Sequence, residues 1–182
     1  MVIDQGDKGA VYRYGRQILE THDWSPAVHA LKKELDRKCR TVFNLVVINY
    51  YVDNSSNVGW HADSEPDMVP YSSIASVSLG DTREMSFRYK GEGNRSKSFT
   101  LEDRDLLVMT GSTQEIVEHR TEKTKERRGS RYNLTYRVVL SGDGTSPMEI
   151  DKGEEKEGKK EEKEVKKERR RKRKRVRKVR RR

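Results

Sequence analysis

A mainly β fold, a sandwich or jelly roll with one flanking helix, is what this sequence predicts. Three observations lead there. Short runs that alternate apolar and polar residues recur between positions 43 and 140. Turn-rich pieces at 53–57, 80–81, 91–94 and 128–130 separate them. Little sequence is left between the runs for helices, the pattern of an all-β core.

The elements follow in order. Residues 1–10 are polar and contain glycine, so they read as a loose lead-in. Val11, Tyr12, Arg13 and Tyr14 alternate as a short strand. Ser25 followed by Pro26 opens a helix, with Ser as the cap and Pro in the first turn. Val28, Leu31, Leu35 and Cys39 then fall on one helical face, and Lys32, Lys33, Asp36 and Arg37 on the other. Strands are expected at 43–51, 73–79, 84–89, 97–101, 105–109, 114–118 and 131–140. The Gly/Ser/Pro-rich stretch 141–147 closes a domain running from 11 to 140, leaving 141–182 as linker and tail.

Charge divides the chain at the same place. Residues 151–182 hold 19 Lys+Arg and 8 Asp+Glu, which leaves 21 and 22 for residues 1–150. The body is near neutral and the tail is a polycation, suited to a polyanionic partner. Residues 166–182 include 14 basic residues in 17, too little apolar surface to offset the entropy of ordering. Such a run is disordered or a solvated helix when free, and serves as a nuclear address or a tether to phosphates. The single cysteine, Cys39, excludes an internal disulfide and fits a reducing compartment. The longest aliphatic run is Leu45, Val46, Val47 and Ile48, against the ~20 apolar residues a membrane helix needs. No secretory signal pattern is visible at the N-terminus.

Three pieces carry chemistry: His61-Ala62-Asp63, then His119, then the run from Arg131 to Arg137. Two histidines and a carboxylate form a facial iron(II) site that keeps positions open. An arginine downstream suits a small dicarboxylate, because a guanidinium grips a carboxylate with two hydrogen bonds. Singly, each piece has a plainer reading. A His-x-Asp arises often by chance, a lone histidine is more often structural, and arginines on a strand face are commonly solvated. Their order and strand context favour the joint reading.

Arg131-Tyr132-Asn133-Leu134-Thr135-Tyr136-Arg137 resembles the R-x-N-x-T-x-R signature of the AlkB-type nucleic-acid dealkylases. The runs 43–51 and 73–80 resemble the strands those proteins place before and after His-x-Asp. The resemblance covers residues 11–140 and is strongest toward the animal and plant DNA-repair AlkB homologs. It implies a double-stranded β-helix, with Fe(II), 2-oxoglutarate and O2 as the reacting set. It implies oxidative decarboxylation of 2-oxoglutarate to succinate, coupled to hydroxylation of an N-alkyl carbon on bases such as 1-methyladenine and 3-methylcytosine. The hydroxylated group then leaves as formaldehyde.

The resemblance also assigns residues. His61, Asp63 and His119 would ligate iron. Arg131 would take the distal carboxylate of 2-oxoglutarate, with Asn49, Tyr51, Thr135 and Arg137 completing the pocket. Glu65 would face the target base, and Tyr12, Arg13 and Tyr14 would form a base-stacking strand, with core aromatics an equal reading. The expected partner is nucleic acid, DNA before RNA, with phosphate contacts from the tail. No membrane association is expected, the protein is expected to be a monomer, and the location would be nuclear in a eukaryote. Two departures keep alternatives open. Few residues precede Tyr12, where family members supply further strands, part of a lid and a duplex-intercalating finger, and Glu118 replaces a bulky residue before His119. An RNA demethylase of the same chemistry, or a catalytically weakened nucleic-acid-binding member, therefore stands beside the DNA-repair reading.

Overall fold

The computed structural model describes residues 1–147 except 15, 16, 20, 92, 94, 125–127, 143 and 146, with backbone alone at 14, 17 and 19. The linker's last residues and the whole basic tail lie outside the described residues.

The described chain is mainly β and antiparallel. β1 (Val2–Gly6), β4 (Leu45–Tyr51), β6 (Ile74–Gly80), β9 (Leu106–Met109) and β11 (Arg131–Arg137) form a five-stranded sheet in the order β1-β4-β11-β6-β9. β5 (Val58–His61), β7 (Arg83–Tyr89), β8 (Lys97–Leu101) and β10 (Val117–Thr121) form a second sheet in the order β5-β10-β7-β8. β2 (Tyr12–Tyr14) and β3 (Gln17–Leu19) pair as a hairpin.

The alternation of β11 organises both faces of the larger sheet. Successive side chains on a strand point to opposite faces. Leu134 and Tyr136 join Val46, Ala75 and Val77 on the face covered by Leu35, Val28 and Leu31 of α1 (Pro26–Cys39). Arg131, Asn133, Thr135 and Arg137 therefore share the other face. There β11 is in register with its neighbours: Tyr51, Arg131 and Gly80 form one row, Asn49, Asn133 and Ser78 the next, and Val47, Thr135 and Ser76 a third. A second core on that side gathers Leu45, Val47, Ile74, Met109 and Val139, with Phe87 of the smaller sheet packed against it. Gly80 ends β6 with a positive φ of 98°, and a Cβ there would lie 2.6 Å from the carbonyl oxygen of Ser130. That close approach holds the turn beside the first residue of β11.

Several expectations need correction. Residues 1–10 are no loose lead-in: β1 pairs along its length with β4, from Val2↔Asn49 to Gly6↔Leu45. Its polar residues concealed a strand whose contribution is largely backbone pairing. The strand expected at 114–118 is instead a helical turn, α2 (Thr113–Ile116), followed by β10. β5 was not foreseen, being only four residues long with an exposed glycine inside it. Ser25 makes no cap hydrogen bond to the helix; its Oγ and backbone N–H donate to Gln5 Oε1 at 3.1 and 2.8 Å. Lys32, placed by periodicity on the helical face opposite Val28, Leu31 and Leu35, is buried, with Nζ 2.7 Å from Asp36 Oδ2 and 6.0 Å from the centre of the Trp24 ring.

Candidate active site

Strand pairing brings the first two pieces of chemistry together. His61 ends β5 and His119 lies in β10, and the two are direct cross-strand partners. Their ring centroids are 4.2 Å apart. Asp63, two residues beyond His61, reaches the same point: one oxygen lies 4.0 Å from His61 Nε2 and the other 3.8 Å from His119 Nε2. One ligand atom from each of the three lies within 4.8 Å of the others. Both histidines therefore turn Nε2 toward one spot. His61 Nδ1 is 2.8 Å from the carbonyl of Gly59. A carbonyl only accepts, so Nδ1 carries the proton and Nε2 keeps its lone pair, the orientation a metal ligand needs.

The charge states also suit a metal. Burial pushes His119 down to about 4, against the pull of Asp63, so the ring is neutral at physiological pH. Burial works to raise the Asp63 pKa, but the Arg137 guanidinium, then His119 and His61, outweigh it and hold the carboxyl below its ordinary value. Arg137 Nη2 donates to Asp63 Oδ1 at 2.7 Å, and both side chains are buried. Gln114 Oε1 accepts from the Asp63 backbone N–H at 2.8 Å, tying the ligand loop to α2.

A cavity of about 50 Å³ adjoins the three residues. Asn49, Tyr51, Glu65, Thr135 and Arg137 all line it. Arg131 meets it through Tyr51 and Asn133, which both line it: Nη2 donates to Asn133 Oδ1 at 2.9 Å and to Ser78 Oγ at 2.8 Å, and the guanidinium lies 5.2 Å from the Tyr51 ring. Among the described residues, Nε and Nη1 of Arg131 are buried with no hydrogen-bond partner, and its partners above are neutral. A buried cation with spare donors fits the carboxylate of a bound acid.

The residues expected near the base separate. Glu65 accepts from the Tyr12 hydroxyl at 3.0 Å, while its Oε2 is buried and unpartnered. Tyr12 is 1% exposed, with Arg137 5.2 Å above its ring. A ring so enclosed offers no face to a base, so the core reading of Tyr12 holds in this structure. Arg13 is half exposed and bound to Asp67 at 2.8 Å. The side chain of Tyr14 lies outside the described residues. Glu118, which departs from the AlkB pattern, points away from the site and pairs with Arg88 at 2.8 Å.

Sequence reasoning missed Asn133, Ser76 and Gln114. Asn133 was legible: it shares the period-two face of Arg131, Thr135 and Arg137, and it links Arg131, Ser76 and Thr135 by hydrogen bonds of 2.9 Å. Gln114 sits in the segment misread as strand, and nothing marked it.

Comparison with known proteins decides the family. Residues 3–137 match the family model of the 2OG-Fe(II) oxygenase superfamily. The chain belongs to this superfamily, and to its AlkB type. It is 34% identical over 145 residues to alpha-ketoglutarate-dependent dioxygenase alkB homolog 3 of Mus musculus, covering 75% of this chain and 51% of that one. It is 32% identical over 142 residues to the DNA oxidative demethylase ALKBH2 of Homo sapiens, covering 74% and 54%. The chain thus spans about half the length of the curated relatives it matches. The superfamily's set of Fe(II), 2-oxoglutarate and O2 accounts for both features of this AlkB-type site, a two-histidine, one-carboxylate cluster and a buried arginine with no acid among the described residues.

Proposed function

We propose that this chain is an Fe(II)- and 2-oxoglutarate-dependent dioxygenase that oxidatively demethylates N-alkylated nucleic-acid bases in DNA repair. One observation carries the reading: His61, Asp63 and His119 converge at a cavity whose neighbour Arg131 has no acidic partner among the described residues. The names of the relatives, a DNA oxidative demethylase among them, support the substrate class. The two antiparallel sheets meeting at the site support a double-stranded β-helix, with α1 flanking it.

His61 Nε2, His119 Nε2 and an Asp63 oxygen would hold the iron. When bound, iron and 2-oxoglutarate supply the oxidising chemistry that hydroxylates an N-alkyl carbon. The chain's own residues orient the reactants. Arg131 receives the distal carboxylate, with spare donors at Nε and Nη1. Asn49, Tyr51 and Thr135 line its approach, and Asn133 sets the Arg131 rotamer. Arg137 fixes one Asp63 oxygen and keeps the carboxylate ionised. Glu65 turns toward the base and accepts from an exocyclic amine, held by the Tyr12 hydroxyl. The tail tethers phosphates or addresses the protein to the nucleus, and DNA is preferred to RNA, with the protein acting as a monomer.

The test is succinate and formaldehyde production with 1-methyladenine or 3-methylcytosine in duplex DNA, single-stranded DNA and RNA. Demethylation in DNA is expected. Turnover confined to RNA would move the chain to the RNA-directed alternative. Failure to convert 2-oxoglutarate at all would leave a nucleic-acid-binding protein with an inactive core.

A further inference from the structure

Among the described residues, three arginines are buried: Arg83, Arg131 and Arg137. A buried cation is costly without a counter-charge. Arg137 has Asp63. Among the described residues, Arg83 donates to main-chain carbonyls alone, to Thr82 and Gly129 at 3.2 Å each, and its Nε is buried with no partner. Asp53 and Asp81 feel its charge, yet Asp81 accepts from the backbone N–H groups of Thr82 and Gly129, and Asp53 from Ser55. Arg83 also bears on Arg131: burial lowers the Arg131 pKa first, Tyr51 acts against that, and repulsion from Arg83 adds to it.

Strand register sets Arg83 and Arg131 at the same end of the site. In the smaller sheet, His119 pairs with Phe87 in the metal row, Thr121 with Met85 in the next, and Arg83 follows two residues further on the same face. In the larger sheet, β11 ends beside Asp63 at Arg137, and its face lies farther from the cluster going back through Thr135 and Asn133 to Arg131. The cavity between is lined by Thr121, Met85, Asn133 and Thr135. The end away from the metal cluster thus gathers two buried positive charges, neither holding an acid among the described residues.

We propose that Arg83 is a second positioning residue for the co-substrate, adding its charge to that of Arg131 so that the site selects 2-oxo acids with two carboxylates over those with one. This rests on the reading of the site as a 2-oxoglutarate site. Arg83 need not touch the ligand, since a charge in a low-dielectric interior acts across several ångströms. Its bonds to Thr82 and Gly129 are within reach of a neutral donor; what the arginine adds is charge.

The experiment is calorimetric binding of 2-oxoglutarate and of 2-oxobutyrate, which lacks the distal carboxylate, to the full chain loaded with Mn(II) as a non-turnover metal. Arg83→Gln is expected to weaken 2-oxoglutarate roughly ten-fold or more and to leave 2-oxobutyrate unchanged. Arg83→Lys, which keeps the charge without the guanidinium geometry, is expected to retain the preference. Equal weakening of both acids in Arg83→Gln would reduce Arg83 to a structural role. Unchanged 2-oxoglutarate binding, or loss of the preference in a folded Arg83→Lys protein, would also overturn the proposal. An unaltered protein that binds neither acid would instead sink the co-substrate reading itself.

Discussion

Asp63 answers two requirements with two oxygens. One faces His119, and the other lies near His61 and is held by Arg137. Asp63→Ala is therefore expected to abolish metal binding and also to leave Arg137 buried without its carboxylate, at a cost of about 3–5 kcal/mol. Denaturant unfolding checks this, and replacing Arg137 with Met in the same chain should recover part of the loss. An Asp63→Ala protein as stable as its parent would show the pair to be structurally idle. Arg131→Lys keeps the charge and loses the fork, so the concentration of 2-oxoglutarate needed for half-saturation should rise markedly while metal affinity holds. His119 adds a pH signature. Its ring titrates near 4 when folded, against an ordinary 6.5. Between those values the unfolded chain takes up a proton that the folded chain refuses. Stability of the metal-free protein should thus fall as pH drops through this window, by a few kcal/mol at most. In His119→Gln that slope should flatten.

At the scale of elements, strands with clear alternation read well from sequence. The runs expected at 84–89, 97–101 and 105–109 correspond to β7, β8 and β9 within a residue or so at each end. What escaped was whatever tertiary context decided. β1 is held by backbone pairing that its polar side chains do not announce. The stretch after Ser112 has strand-like residues, but Thr113 and Glu115 settle into a turn of helix before β10 begins. His61, Asp63 and the alternate residues of β11 were legible because each set lies at a period of two on extended chain, while the part of each in the pocket came from the AlkB resemblance. Gln114 and Arg83 were not, since their parts depend on what folding sets beside them. Helix α1 offers an element-level test. Leu35 packs under the sheet on the face opposite the site. Leu35→Ala should cost about 2–5 kcal/mol, read by thermal unfolding, with 2-oxoglutarate affinity unchanged. A co-substrate defect in that variant would mean that the two faces of β11 are mechanically coupled.

For the whole molecule, charge and chemistry occupy different parts of the chain. Residues 151–182 hold 19 basic and 8 acidic residues, and every residue assigned to the site precedes 138. Sequence-independent affinity for nucleic acid comes chiefly from phosphate contacts. Deleting 151–182 should weaken binding and flatten its salt dependence, while turnover on saturating short substrate stays nearly the same. Affinities at two salt concentrations decide it; equal slopes for the two proteins would make the tail an address or a docking segment for another protein.

β11 is paired on both sides at the centre of its sheet, whereas β5 is an edge strand joined to β10 through a shifted register. Amide protons report such differences, because edge segments open by local fluctuation and central strands only when most of the fold goes. In metal-free protein the amides of β5 should exchange with solvent deuterium well before those of β11. Adding metal should slow exchange at His61 by clamping the edge to β10. The co-substrate arginines would then rest on the most persistent strand of the molecule, and the metal would finish a site whose other half stands ready without it.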